Sequence, residues 1–186
     1  MLHQVRFADR VEPLLKIDQA DLAGAPMEAP AIFFGAPQIS SRPATLADMR
    51  ALSATLRPED RAEIEAIGQK PRHFLIHLWL TSPYRRAYFV DGRIAAVAGY
   101  QGTLLSTIGH AWMLTTPEVE RVPIGFLKAA RQGRDEMLEF VSVLISGVAA
   151  SYERSVRFMR LLGFEIGEPH PVPPFGRLFR DLRRER

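Results

Sequence analysis

The dipeptide Asp91-Gly92 sits between two runs that read as strands, Arg86–Val90 and Arg93–Gly99. Asp and Gly tolerate the positive φ that both central positions of a type I′ turn require, and that turn matches the twist of paired strands. The pair therefore predicts a β-hairpin. Any fold for this chain has to be built around that antiparallel unit.

Before the hairpin the pattern is helical. Thr45 can cap a helix whose apolar positions are Leu46, Met49, Leu52 and Leu56, with Asp48 in the first turn where negative charge suits the helix dipole. Pro58 suits the first turn of a second helix; Glu59 and Asp60 follow it, and Gly68 stops it. A third apolar stretch, Phe74–Leu80, ends at Thr81-Ser82-Pro83. After the hairpin, Gly109–Leu114 reads as a strand, Ile124–Met137 as a helix and Phe140–Ile145 as a short buried strand. In the last helix Ser155, Phe158, Met159 and Leu162 fall at i, i+3, i+4 and i+7, Arg154, Arg157 and Arg160 take another side, and Gly163 ends it. A strand is expected after Phe164. The order of helices, hairpin, strand, helix, strand, helix and strand is that of a mixed α/β (α+β) layered domain.

The two ends read differently. Residues 1–40 carry Pro13, Pro26, Pro30 and Pro37 with Gly24 and Gly35 between them, and sustain no helical or strand period. They are expected to form an extended arm. Ile32, Phe33 and Phe34 together would not suit a polar linker, so they are candidates for contact with a partner or with the core. The core is expected over residues 41–168. Residues 169–186, proline-rich and then basic from Arg177, are expected to be a tail.

Composition removes several classes of function. With no cysteine, the chain has no disulfide, no thiolate nucleophile and no cysteine-ligated metal. With 47% hydrophobic residues and a net charge of +3 it is not a disordered polyelectrolyte. The longest apolar runs, Phe74–Leu80 and Val141–Ala150, fall well short of the roughly 20 residues of a membrane span. Residues 1–10 lack the apolar stretch of a secretory signal, so no membrane partner is expected, and a soluble protein of a reducing compartment is. Of the 24 basic residues only Lys16, Lys70 and Lys128 are lysines. Arginine suits bidentate contacts with carboxylate and phosphate, although a GC-rich genome yields the same bias.

Three stretches carry a resemblance. Arg42-Pro43-Ala44-Thr45-Leu46-Ala47-Asp48, Tyr88–Gly99 around the Asp91-Gly92 turn, and Tyr152–Phe164 resemble, in that order and spacing, the opening, central hairpin and last helix of the GNAT superfamily of acetyl-CoA-dependent N-acyltransferases. The resemblance implies a central mixed sheet flanked by helices. A narrower likeness runs through Leu56–Ile64, Gly109–Leu114 and Arg157–Phe164 with the proline-rich end. It is similar to the internal virion protein family of short-tailed phages, which shares the GNAT-like fold and is associated with particle assembly.

The GNAT resemblance implies a site with three parts: a backbone nest for the coenzyme diphosphate, a base and often a tyrosine acid. At the nest this chain has Glu118-Val119-Glu120-Arg121-Val122-Pro123-Ile124-Gly125-Phe126. In either register a small position is filled by Ile124 and Phe126 or by Pro123, and Pro123 lacks an N–H. The tyrosine position holds Met159, which has no proton to give. His110 could serve as a base, or could be a hydrogen-bonded strand residue. His73 and His77 lie four apart but lack a third ligand, so no metal is expected.

Two readings follow. In the first, the chain is a phage virion-associated structural or assembly protein. It is made in the host cytoplasm, has lost its catalytic and CoA-binding residues, and has no cofactor. It would contact other virion proteins, or further copies of itself, through Ile32, Phe33, Phe34, Arg154, Arg157 and Arg160; the arginines could also meet nucleic acid or simply be solvated. In the second, it is an active N-acetyltransferase that uses His110 or a water-relayed carboxylate as base and holds acetyl-CoA with Met113, Leu114, Arg121 and Gly125.

Overall fold

A computed structural model of the protein describes residues 37–103 and 106–186. Ile32, Phe33 and Phe34, with most of the expected arm, lie outside the described residues. Seven strands form one sheet in the order β1-β2-β3-β4-β5-β7-β6. They are β1 (Ile39–Pro43), β2 (Tyr84–Val90), β3 (Arg93–Gln101), β4 (Ile108–Thr115), β5 (Val143–Ala149), β6 (Glu165–Val172) and β7 (Arg177–Glu185). Every neighbouring pair is antiparallel except β4 with β5. Among the described residues three helices precede β2: α1 (Leu46–Thr55), α2 (Pro58–Ala66) and α3 (Pro71–Thr81). A 3-10 turn (Pro117–Arg121) and α4 (Pro123–Phe140) join β4 to β5, and α5 (Glu153–Leu161) joins β5 to β6. The mixed sheet flanked by helices is the fold class expected from the sequence. Among the described residues no helix is long and apolar enough to cross a membrane.

The hairpin turns where the sequence placed it, with φ of 49° at Asp91 and 78° at Gly92. A register shift between Tyr88 and Phe89 lets the two strands run on after the turn. On one face Ala87 and Val97 pack with Met49, Leu52, Leu75 and Leu78 of α1 and α3. On the other, Tyr88, Ala96 and Ala98 meet Phe126 of α4. Tyr84 donates to Glu136 at 2.6 Å and Arg86 pairs with Glu136 at 2.7 Å, fastening α4 to β2. Gly133 of α4 leaves room for the buried Tyr88 hydroxyl, which burial pushes up to about 12.

Two expectations are corrected. Phe140 ends α4 instead of opening β5, and the strand begins at Val143. Residues 169–186 are not a tail: they lie in β6 and β7, and β7 pairs along the full length of β5. Its buried side chains, Phe179 and Leu182, belong to the core. Pro169 and Pro171 are tolerated because β6 is the outermost strand, where a missing N–H leaves no neighbour unpaired.

The Arg42–Asp48 stretch has a structural task. The Asp48 carboxylate accepts from the Thr45 N–H at 2.7 Å and from both Arg42 guanidinium nitrogens at 2.7 and 2.8 Å, while the Thr45 hydroxyl caps the Asp48 N–H. Burial pushes this carboxyl up, but the bonds from Arg42 and Thr45 outweigh it and hold it below the usual range. Asp48→Ala is expected to lower the unfolding free energy by about 1–2 kcal/mol at neutral pH, as measured with urea. A depressed carboxyl stabilises the fold above its ordinary pKa and ceases to as pH falls through the folded value, so the difference should shrink in acid.

Candidate functional site: a slot between two diverging strands

The parallel pair β4–β5 is registered for three residues only: Ile108 with Val143, Gly109 with Leu144 and His110 with Ile145. Beyond them the strands part. The ladder alternation tells which backbone groups face the gap. Thr116 N–H bonds to Ala95 C=O, so residues 110, 112 and 114 of β4 bond towards β3 and residues 111, 113 and 115 face β5. Ala150 N–H bonds to Leu178 C=O, so Gly147 and Ala149 of β5 face β4.

One helix holds the far end of the gap open. Asp60 of α2 accepts from the Thr115 N–H at 2.9 Å and the Thr115 hydroxyl at 2.5 Å. Glu63, one turn on, accepts from the Ala149 N–H at 2.8 Å. Arg57 adds its N–H to the Thr115 carbonyl and its guanidinium to Asp60 at 3.3 Å. Each diverging edge thus ends on a carboxylate of α2 instead of on the other strand. Burial raises Glu63 to about 7, and the nearby Asp60 adds to the rise; the Ala149 N–H and Arg57 oppose it.

Between these ends lies a cavity of about 540 Å³. Trp112, Met113, Leu114, Val148 and Met159 line it, and His110 stands at its narrow end. Phe126 of α4 stacks on Phe158 of α5, with ring centres 5.6 Å apart, along its wall. At the α4 end, Arg154 pairs with Glu120 at 2.7 Å.

The residues named from the sequence separate into two groups. His110, Met113, Leu114, Arg154 and Met159 do line the slot. Arg121 does not: its guanidinium is held by Asp91 at 2.6 Å and Glu118 at 2.7 Å. Gly125 is in the first turn of α4, where a Cβ would meet only Val122 and Ile39, both near 4 Å, so nothing there demands a glycine. Arg157 and Arg160 are exposed on α5. His77 faces the Gln101 side-chain amide at 3.2 Å, and among the described residues no cluster of metal-ligating groups forms. Asp60 and Glu63 were not anticipated by position. Their bonds reach strands 55 and 86 residues away, and no local spacing encodes that.

The α4 terminus decides how the slot suits an acyl-CoA. Its first helical residue is Pro123, which has no N–H, and Phe126 N–H is already bonded to Val122 C=O. Only the Ile124 and Gly125 N–H groups are left by position for an anion. Glu118 and Glu120 stand just before them, and the nearby guanidiniums are already paired: Arg121 with Asp91 and Glu118, Arg93 with Glu118 and Arg154 with Glu120. The apolar channel could take a pantetheine-like chain. The residues at the α4 end do not fit a diphosphate.

Glu63 gives a direct test of the α2 contacts. Its carboxyl rises from an ordinary 4.5 to about 7 on folding, so the unfolded chain releases its proton first. The associated stability is complete below pH 4.5 and is lost as pH climbs to 7. Glu63→Gln keeps an acceptor for Ala149 and removes the ionisation. It should match the parent near pH 4.5 and exceed it above pH 7 by at most about 3 kcal/mol, less where water reaches the half-buried carboxyl. Urea unfolding at pH 4.5 and 8 reads the difference.

The sequence matches no protein-family model and no curated protein. Solved structures do match the fold. The ribosomal-protein-alanine N-acetyltransferase of Brucella melitensis is 23% identical with a TM-score of 0.60, over 79% of this chain and 99% of that one. A GNAT-family acetyltransferase of Bacillus anthracis is 10% identical with a TM-score of 0.60, over 81% and 96%. The spermidine N-acetyltransferase of Vibrio cholerae, solved with CoA and spermine, is 15% identical with a TM-score of 0.58, over 80% and 95%. At these identities the likeness is one of architecture, and the architecture of this chain is the GNAT acetyltransferase fold.

Proposed function

We propose that the protein is an assembly component of a short-tailed phage particle that uses the GNAT fold as a rigid block and transfers no acyl group. The observation that carries this reading is the start of α4. Where an acyl-CoA diphosphate would have to rest there is a proline, two glutamates and an arginine already held by Asp91 and Glu118. Met159 in the slot reinforces it, since a thioether cannot protonate a thiolate leaving group. The likeness to internal virion proteins supports the setting: synthesis in the host cytoplasm, then residence in the virion beside other virion proteins. Arg154, Arg157 and Arg160 on α5 are the docking residues in this reading, with Ile32, Phe33 and Phe34. No cofactor is required.

A second reading, an acetyl-CoA-dependent N-acetyltransferase, is favoured by the open slot and by Glu63, whose raised carboxyl suits proton exchange near neutrality. Calorimetric titration with acetyl-CoA separates the two. The assembly reading expects no micromolar binding. Micromolar binding that is lost when Gly125 is made bulky would favour the enzyme. Mass spectrometry of purified particles is expected to find the chain, and its absence would count against the virion role.

A further inference from the structure

Three features of the slot bear on what it holds. The first is unpaired backbone. Beyond His110 and Ile145 the N–H and C=O of Met113, the C=O of Ala111, and the N–H and C=O of Gly147 point into the gap with no strand opposite them. Further along, the N–H groups of Thr115 and Ala149 are taken by Asp60 and Glu63, so the open edges have defined ends. The run Ala111–Thr115 is about 16 Å of strand at 3.3 Å per residue. Two such edges facing each other across a cavity offer ladder positions to an extended chain on either side.

The second feature is the walls. Trp112 and Leu114 lie on the α1–α3 side of the sheet and Met113 on the α4 side, so an inserted strand would find apolar surface for side chains of both parities. The third is charge. The slot is lined by four carboxylates, Asp60, Glu63, Glu120 and Asp181, against two guanidiniums, Arg57 and Arg154. Both guanidiniums are already paired, with Asp60 and Glu120, and Asp181 faces His170 at 3.0 Å, so Glu63, ionised above about pH 7, is the lining carboxylate with no ion-pair partner. On a chain of net charge +3 this concave surface carries an excess of carboxylate above pH 7, which disfavours an anion and favours a cationic guest.

We propose that the slot between β4 and β5 receives an extended, basic peptide segment of a partner protein, which adds a strand against the free edges of Ala111–Met113 and Gly147. The proposal deepens the assembly reading by naming the chemistry of the partner. Main-chain bonds to the two edges supply affinity. The apolar walls take alternate side chains, and lysine or arginine at the segment's ends meets the lining carboxylates.

The test uses the full chain at pH 8 and three synthetic peptides. One is an acetylated, amidated alternation of valine and threonine with lysine at both ends. The second has glutamate in place of lysine. The third repeats the lysine peptide with alternate backbone nitrogens methylated. Titrations are followed by the amide resonances of Met113 and Gly147. The lysine peptide should shift and protect both amides, at least tenfold more tightly than the glutamate peptide, and the methylated peptide should fail to bind. Gly147→Pro removes the slot-facing N–H and also restricts the backbone at Ser146 and Gly147, so it is read beside the methylated peptide: it should weaken the lysine peptide at least tenfold while thermal unfolding stays cooperative.

Equal binding of the methylated peptide would overturn the proposal, since the slot would then be a greasy groove and no sheet edge. So would shifts confined to other residues, or concentration-dependent shifts of the same amides without peptide, which would seat a second copy there. Each of these leaves the assembly reading standing if the chain is found in particles. Tight acetyl-CoA binding at the same amides would instead remove both.

Discussion

Asp60 and Glu63, one helical turn apart on α2, accept from the backbone N–H groups of Thr115 on β4 and Ala149 on β5. A parallel pair of strands left to itself would continue its ladder, because each unpaired N–H or C=O forfeits a hydrogen bond. Here the pairing stops after His110 and Ile145, and the far ends of both strands are satisfied by side chains of a third element. The slot is therefore built into the hydrogen-bond bookkeeping of the fold and does not depend on a guest to prop it open. Asp60 is buried and further tied to Arg57, so the β4 side of the arrangement is the more rigid. Glu63, with its carboxyl raised to about 7, is the softer member.

The two ends of the slot differ in character. Near the middle of the sheet its walls are apolar, formed by Trp112, Met113, Leu114, Val148 and Met159. At the start of α4 the guanidiniums of Arg93, Arg121 and Arg154 are each already paired with a carboxylate. Pro123 withholds a donor, and Arg121 spends its charge on the β2–β3 turn through Asp91, where it fastens the hairpin to the 3-10 turn. A residue that motif spacing makes a candidate for phosphate is in practice a strut. Arg154 closes on Glu120 at the same end, so the exposed mouth is bridged by an ion pair.

Much of the architecture was legible because it is locally encoded. Asp91-Gly92 dictates its own turn, Thr45 with Asp48 its own cap, and Gly163, at φ 81°, its own helix stop. The strand edges were less legible. Phe140 is apolar and sits beside a β-branched run, yet α4 keeps it, exposed, at the helix end, where its ring lies near Tyr84. Residues 169–186 were misread because proline and arginine density signals a tail, whereas an edge strand absorbs the prolines, and Phe179 and Leu182, an odd number of residues apart in β7, are buried on opposite faces of the sheet between exposed charges. At the site, His110, Met113, Leu114 and Met159 could be placed by their order along strand and helix. Asp60 and Glu63 could not, since their partners are brought to them only by the assembled sheet.

In the assembly reading we propose, the coenzyme's anionic end has no seat. A crystal soaked with saturating acetyl-CoA tests it most directly. The account predicts no ordered diphosphate at the Ile124 and Gly125 amides. A diphosphate resolved on those amides, with Glu118 and Glu120 swung aside, would contradict it.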